Sequence, residues 1–125
     1  MVTWILWALI LAMLAWMGFN YLRIRRAAKI VDNEEFESLI RTGQLIDLRD
    51  PAEFHRKHIL GARNIPSSQL KTSLAALRKE KPVLLYENQR AQRVTNAALY
   101  LKKQGFSEIY ILSYGLDSWK GKVKT

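Results

Sequence analysis

Three groups of residues in this chain have types and spacings suited to chemistry. The first is Asp47 and Arg49, at the end of the short apolar run Leu45-Ile-Asp-Leu48. A carboxylate and a guanidinium two residues apart at a strand end can bind a substrate or hold each other, and a structural pair bound into a hydrogen-bond network is the expected arrangement. The second is His55 and His58, whose i, i+3 spacing suits two metal ligands; no third ligand accompanies them, so no metal site is expected. The third is the polar run Glu87-Asn-Gln-Arg-Ala-Gln-Arg93, between an apolar strand and a helix. Its Asn88, Gln89, Arg90, Gln92 and Arg93 are expected to form an exposed recognition surface. A carboxylate such as Glu87 can act as a nucleophile, but no second carboxylate lies nearby in sequence to hold the metal that such sites recruit. The chain has no cysteine. That excludes disulfides, thiolate metal sites and thiol nucleophiles or persulfide carriers, and no cofactor is expected.

The elements that must position these groups alternate between short strands and helices. Lys29-Ile-Val31 leads into Asp32-Asn-Glu-Glu35, a capping box in which Asp32 accepts a backbone N–H and Glu35 reaches back. Phe36, Leu39 and Ile40 follow at helical spacing, and Thr42-Gly43 stops the helix. Pro51 opens a short helix through Glu53, Phe54 and His55, and Gly61-Ala-Arg-Asn-Ile-Pro66 reads as a tight turn and brief strand. Ser68 is expected to cap a helix carrying Leu70, Leu74 and Leu77, ending near Lys79-Glu-Lys-Pro82. Val83-Leu-Leu-Tyr86 is a buried strand; Val94, Ala97, Ala98 and Leu101 form the inner stripe of the next helix, which Gly105 ends. Ile109-Tyr-Ile-Leu112 is a further strand, and Gly115 precedes a terminal amphipathic turn with Leu116 and Trp119. Phe106 and Trp119 are expected in the core. This alternation predicts an α/β fold: one small domain, a parallel sheet with helices on both faces.

Ahead of that domain, residues 1–22 read as a transmembrane helix. Met1 to Phe19 carries no charged side chain, and at about 1.5 Å per residue it spans a hydrocarbon core of about 30 Å. A cleaved signal peptide would have basic residues before the apolar run and an A-x-A-like exit; here the basic residues follow, and Ala15-Trp-Met-Gly18 is a poor cleavage site. Arg23, Arg25, Arg26 and Lys29 then place residues 23–28, a basic juxtamembrane linker, and the domain from 29 to 125 on the cytoplasmic side of the cell membrane, with the N-terminus outside. Trp4 and Trp7 would lie at the outer interface and Tyr21 at the inner one, where the basic cluster meets anionic headgroups. Ala8, Ala12, Ala15 and Gly18 share one face, which permits close helix packing. The formal charge of +9 comes from 20 Lys+Arg against 11 Asp+Glu. With the juxtamembrane cluster set aside, the remainder is only modestly basic, so no nucleic-acid partner is expected.

Between about Lys29 and Gly121 the chain resembles the rhodanese-like (sulfurtransferase) domains. Leu45-Ile-Asp-Leu-Arg49 followed by Pro51, Glu53 and Phe54 is similar to that family's D-x-R…E-F/Y segment, and His58-Ile-Leu-Gly-Ala-Arg-Asn-Ile-Pro66 is similar to its H-I-x-G-A-x-N-I-P segment. Val83–Tyr86 corresponds to the strand entering the active-site loop, Ala97, Ala98, Leu101, Gly105 and Phe106 to the helix and turn after it, and Gly115 with Trp119 to the closing G-x-x-x-W region.

The resemblance implies a site and also its loss. In active relatives the strand is followed by a cysteine in a loop of the type C-x-x-G-x-R, whose backbone N–H groups and following helix N-terminus stabilise a thiolate or persulfide. Here Glu87 stands at the nucleophile's position and Arg90 at the glycine's. A carboxylate carries no sulfane sulfur, and it would occupy the positive end of the helix as a built-in anion. Related phosphatases place an arginine six residues after their cysteine, a spacing that Glu87 and Arg93 keep without the nucleophile. The expected function is therefore a membrane-anchored, catalytically inactive rhodanese-like domain working as a protein-interaction or regulatory module, with a protein partner in or at the membrane. Arg90, Arg93, Asn88, Asp47 and Arg49 are the candidate binding residues. The alternative is a sulfurtransferase- or phosphatase-related enzyme with an altered anion-binding loop.

Overall fold

The computed structural model describes residues 2–88 and 92–125, the side chains of 24–27 excepted. Helix α1, Val2–Ala27, runs for 26 residues, about 39 Å at the α-helical rise. Its stretch Val2–Arg23 is long and apolar enough to cross a membrane and is not buried against the rest of the chain. The helix continues through the basic stretch expected as a linker. Residues 22–28 contain neither glycine nor proline, so nothing in Leu-Arg-Ile-Arg-Arg-Ala-Ala breaks the backbone pattern.

After Ala28 the chain enters strand β1 (Lys29–Val31) directly. Helix α2 (Asn33–Ile40) follows, capped by Asp32, whose carboxylate accepts from Glu35 N at 2.9 Å. The reciprocal half of the capping box is not made: the Glu35 carboxylate instead lies 3.4 Å from Lys29 Nζ. Then come β2 (Gln44–Asp47), α3 (Pro51–Arg56), β3 (His58–Ile59), β4 (Arg63–Asn64), β5 (Val83–Tyr86), α4 (Gln92–Lys103), β6 (Ile109–Leu112) and β7 (Val123–Lys124). Strands β1, β6, β5, β2 and β4 form one sheet in that order, each neighbouring pair parallel. The two-residue strands β3 and β7 make a separate antiparallel ribbon that closes the chain's end onto His58–Ile59.

Alternate strand residues face opposite layers, as a pleated strand requires. Leu45, Leu84, Tyr86 and Leu112 pack with Phe36 of α2, while Ile46, Leu85, Ile109 and Ile111 pack with Val94, Ala97, Ala98 and Leu101 of α4. Helices therefore cover both faces. Phe106 is fully buried, and Trp119 is partly buried, edge-on to Phe36 with centroids 5.8 Å apart.

One element departs from its pattern. The helix expected from Ser68 to Leu77 is two 3-10 turns, Ser67–Gln69 and Leu74–Ala76. Thr72 Oγ1 donates to Gln69 O at 2.9 Å, and Ser73 sits at φ −104, ψ 7, outside the α region. Hydroxyl side chains that bond nearby carbonyls compete with helix continuation. Leu70 and Leu77 still reach the core beneath α4.

Candidate functional site

Parallel strands gather their C-terminal ends, and the loops leaving them, at one edge of the sheet. There the residues after β2 and β5 meet. Asp47 and Tyr86 are register partners across β2 and β5, which places the tyrosine hydroxyl against the carboxylate: Tyr86 Oη donates to Asp47 Oδ2 at 2.7 Å and accepts from Ile59 N at 3.1 Å. Arg49 closes the other side of Asp47, donating from Nη2 at 2.8 Å, from Nε at 3.0 and 3.1 Å, and from its backbone N at 2.9 Å. All three side chains are buried. Burial by itself would lower the Arg49 guanidinium, but the hydrogen bonds and charge of Asp47 outweigh it and hold the group above its ordinary value. Burial first, and then Asp47's charge, push the Tyr86 hydroxyl far up, so it stays neutral, donating to Asp47 and accepting from Ile59 N.

The network reaches the loop through Arg49. Its Nη1 donates to Asn88 Oδ1 at 3.0 Å, and its Nη2 also donates to the Lys57 carbonyl. Asn88 Nδ2 donates to Glu53 Oε2 at 3.2 Å, so the amide is held at both ends. The loop backbone is pinned from the opposite side by the turn after β6, where Leu116 N donates to Glu87 O at 2.8 Å and Asp117 N to Asn88 O at 3.0 Å. Gly115 makes this approach possible: its φ is +70, and a Cβ there would lie 2.4 Å from Asn88 O.

Glu87 occupies the centre of this frame. Only 8% of it is exposed, and its Oε2 accepts from Val94 N at 2.9 Å, in the first turn of α4. The carboxylate thus takes an N–H that a helix start otherwise leaves unpaired. Burial raises its pKa above the ordinary carboxylate value; the Val94 bond and the Arg93 charge oppose this, and Glu53 and Asp47 add to it.

Of the candidate binding residues, Asp47 and Arg49 form the buried framework, Asn88 is half-buried within it, and Arg93 is exposed on α4's first turn. Arg90, with Gln89 and Ala91, lies outside the described residues. A cavity of about 220 Å³ beside the loop is lined by Arg49, Glu53, Arg56, Lys57, Asn88 and Asp117, together with Leu116. The two histidines do not converge: His55 is exposed, whereas the His58 ring stacks on Phe54 at 3.8 Å with Nδ1 2.7 Å from Phe54 O. Sequence reasoning missed Tyr86 as a polar member of the site and Asn64, whose Nδ2 donates to the carbonyls of Asp47 and Arg49 at 3.2 and 2.9 Å. The tyrosine at the end of an otherwise aliphatic strand was the available signal.

A five-stranded parallel sheet covered on both faces, with a strand–loop–helix unit closing on an anionic side chain, defines a small α/β domain built around an anion-holding loop. The chain belongs to the rhodanese-like domain family, whose profile matches residues 32–122. It is 46% identical over 113 residues to the uncharacterized protein YqhL of Bacillus subtilis, across 90% of this chain and 89% of that one. That span is too long to fit within residues 29–125, so the likeness includes part of α1. Thiosulfate sulfurtransferase GlpE of Stutzerimonas stutzeri is 34% identical over 95 residues, 74% of this chain and 84% of its own. Among solved structures, the full-length protein from Lactobacillus plantarum superposes with a TM-score of 0.71 at 23% identity, over 91% of this chain and 98% of that one. A rhodanese-related protein from Thermoplasma volcanium gives 0.69 at 22%, over 77% and 97%. Those two identities show the fold alone.

Proposed function

We propose that this chain is a membrane-anchored rhodanese-like domain without sulfurtransferase activity, held in the cell membrane by α1 with its N-terminus outside. The domain faces the cytoplasm and recognises a protein partner in or at the membrane through the loop of residues 87–93 and its rim. The observation that carries this reading is the Glu87 carboxylate seated on Val94 N at the head of α4. Sulfur transfer of the kind that names GlpE needs a nucleophile to take up the sulfane sulfur, and the chain has no thiol. At this position a carboxylate both lacks that chemistry and repels an incoming anionic donor. Among the described residues a frame around it is nevertheless present: Asp47, Arg49, Tyr86, Asn88 and Gly115 hold the loop's entry in a defined shape. A hydrogen-bonded frame around a centre without a nucleophile suits recognition.

The test pairs an activity with a capture. Full-length protein in detergent, given thiosulfate and cyanide, is expected to form thiocyanate at the uncatalysed rate; turnover above it would refute the inactive reading. Tagged protein captured from its native membranes is then compared with a Glu87→Ala, Arg90→Ala, Arg93→Ala variant and with a chain lacking residues 1–22. A partner lost with the loop variant supports recognition by the loop; one lost only with the anchor deletion moves recognition to α1.

A further inference from the structure

We infer that the sheet edge nearest α1 is a second membrane-contact surface, which rests on anionic phospholipid headgroups of the leaflet α1 enters and seats one of them in a cavity at that edge. This inference rests on the anchored reading above. It begins with topology. Only Ala28 separates α1 from β1, and Ala28 is buried in the core layer of α4; α1 also touches α4 and β1. The strands of the main sheet are parallel, so all of them begin at the edge from which α1 leaves and run away from it. The loop at Glu87, which follows the end of β5, therefore faces away from the bilayer. The loops entering β2, β5 and β6, with the last turns of α2 and α4, face toward it.

The balance of charge shifts along the same axis. At the edge nearest α1 stand Arg41, Arg78, Lys79, Lys81, Lys102 and Lys103, all exposed, against the acids Glu80 and Glu108. At the opposite edge the acids Asp32, Glu34, Glu35, Asp50, Glu53, Glu87 and Asp117 stand among the cations Arg49, Arg56, Lys57 and Arg93, Arg49 being held by Asp47 and Glu35 lying 3.4 Å from Lys29. One of the cations nearest α1 is partnered, Arg78 Nε lying 2.9 Å from Glu80. The 78–81 loop is fixed in place: Gln44 Oε1 accepts from Arg78 N at 2.7 Å, and its Nε2 donates to Arg78 O at 2.8 Å. Lys79 lies beside Gly105, with Nζ 3.7 Å from where a Cβ would be, so the two loops form one surface.

That surface is hollow. A cavity of about 500 Å³ lies between the loops, walled by Leu74, Leu77 and Phe106 and rimmed by Arg78, Lys79 and Gln104, with Glu80, the partner of Arg78, also at the rim. Apolar walls beneath Lys79, with Lys81, Lys102 and Lys103 on the same face, match a phospholipid, whose phosphate meets Lys79 while its glycerol and upper acyl carbons meet the leucines. The charge works only within about 8 Å of the headgroups at physiological salt, and the absence of a flexible linker after α1 supplies that proximity.

The chain has no cysteine, so Ser107→Cys and Tyr114→Cys, both exposed, each give a single labelling site, at the near and the far edge. Each full-length protein, carrying a fluorophore, is reconstituted in phosphatidylcholine vesicles with and without roughly one part in three phosphatidylglycerol, the headgroups bearing a nitroxide quencher. Quenching at 107 is expected to exceed that at 114 by roughly threefold in anionic vesicles, and to fall toward it in neutral vesicles and at high salt. A Lys79→Gln, Lys81→Gln, Lys102→Gln, Lys103→Gln variant is expected to lose the excess while still floating with the vesicles. Equal quenching at both sites, or an excess that ignores lipid charge, overturns the inference while leaving the anchor intact. Loss of the excess on adding inorganic phosphate at constant ionic strength identifies a soluble-anion site and also overturns it. Failure of the full chain to float overturns the anchored reading, and this inference with it. The lipid-composition comparison uses no substitution in the lysine surface, so it decides the question even if the fourfold variant does not fold.

Discussion

Replacing Asp47 by alanine removes the anion on which the site's framework converges. The carboxylate, fully buried, receives Arg49 N at 2.9 Å, Arg49 Nη2 at 2.8 Å and the Tyr86 hydroxyl at 2.7 Å. Without it the Arg49 guanidinium, 4% exposed, keeps Asn88 Oδ1 and the Lys57 carbonyl as its acceptors among the described residues. Breaking one side of a buried ion pair costs about 3–5 kcal/mol, and a buried hydroxyl left without an acceptor about 1–3 kcal/mol more, though the two losses share a site and do not simply add. A total near 4 kcal/mol is expected, a large part of the roughly 5–15 kcal/mol that a domain has. With a urea m-value of about 1–2 kcal/mol/M, the midpoint falls by about 2–4 M. The assay is urea unfolding of the full chain in nanodiscs, followed through Trp119 in a background where Trp4, Trp7 and Trp16 are phenylalanine. A midpoint within about 0.5 M of the parent refutes the assignment. The paired replacement Asp47→Leu, Arg49→Met checks the cause, because exchanging a buried ion pair for apolar groups of similar size is often close to neutral. If the pair is as damaging as the single change, shape rather than charge is what Asp47 supplies.

Gly115→Ala places a methyl 2.4 Å from Asn88 O at a backbone φ of +70. Strain and overpacking together are expected to cost about 2–4 kcal/mol by urea unfolding, and a cost under about 0.5 kcal/mol would show that the loop does not depend on this contact. Glu87→Gln keeps an oxygen acceptor for Val94 N and removes the charge that burial disfavours. Because the native pKa of Glu87 is raised, the folded protein binds this proton more readily than the unfolded chain does. The group's contribution to stability is thus fully present below the ordinary carboxylate value of about 4.3 and is lost as pH rises through the native value. The variant should be more stable than the parent at pH 7, by a margin that shrinks on acidification; a margin that widens instead contradicts burial as the main influence.

Much of this architecture was legible because its elements are periodic. Val94, Ala97, Ala98 and Leu101 lie at helical spacing and all became the buried stripe of α4, while Asp47 and Arg49 are close enough in sequence for their pairing to be anticipated. Tyr86 was not legible as a polar residue, since its role depends on register with Asp47 across two strands that are 39 positions apart at that pair. The β3–β7 ribbon was equally hidden, being two residues long on each side with a polar tail as one strand. The segment after Pro66 misled because its leucines have helical spacing, while its hydroxyl side chains favour tighter turns.

If α1 is the anchor proposed above, the junction at Ala28 decides whether it is only a tether or also an orienting mount. Ala28 is 6% exposed within the layer that α4 covers, and a continuous helix enters it from one side while an edge strand leaves it on the other. An insertion of Gly-Gly-Ser-Gly after Ala28 leaves each of those elements intact but separates them by a flexible coil. Because β1 keeps its pairing with β6 and the core layers are untouched, the unfolding midpoint is expected to change little. Orientation is expected to change greatly. Spin labels at Leu22→Cys and Gln104→Cys should give a narrow distance distribution in the parent and a broad one after the insertion. Equally broad distributions in both would mean that the helix does not fix the domain, and the orientation of the loop at Glu87 relative to α1 would then be undetermined.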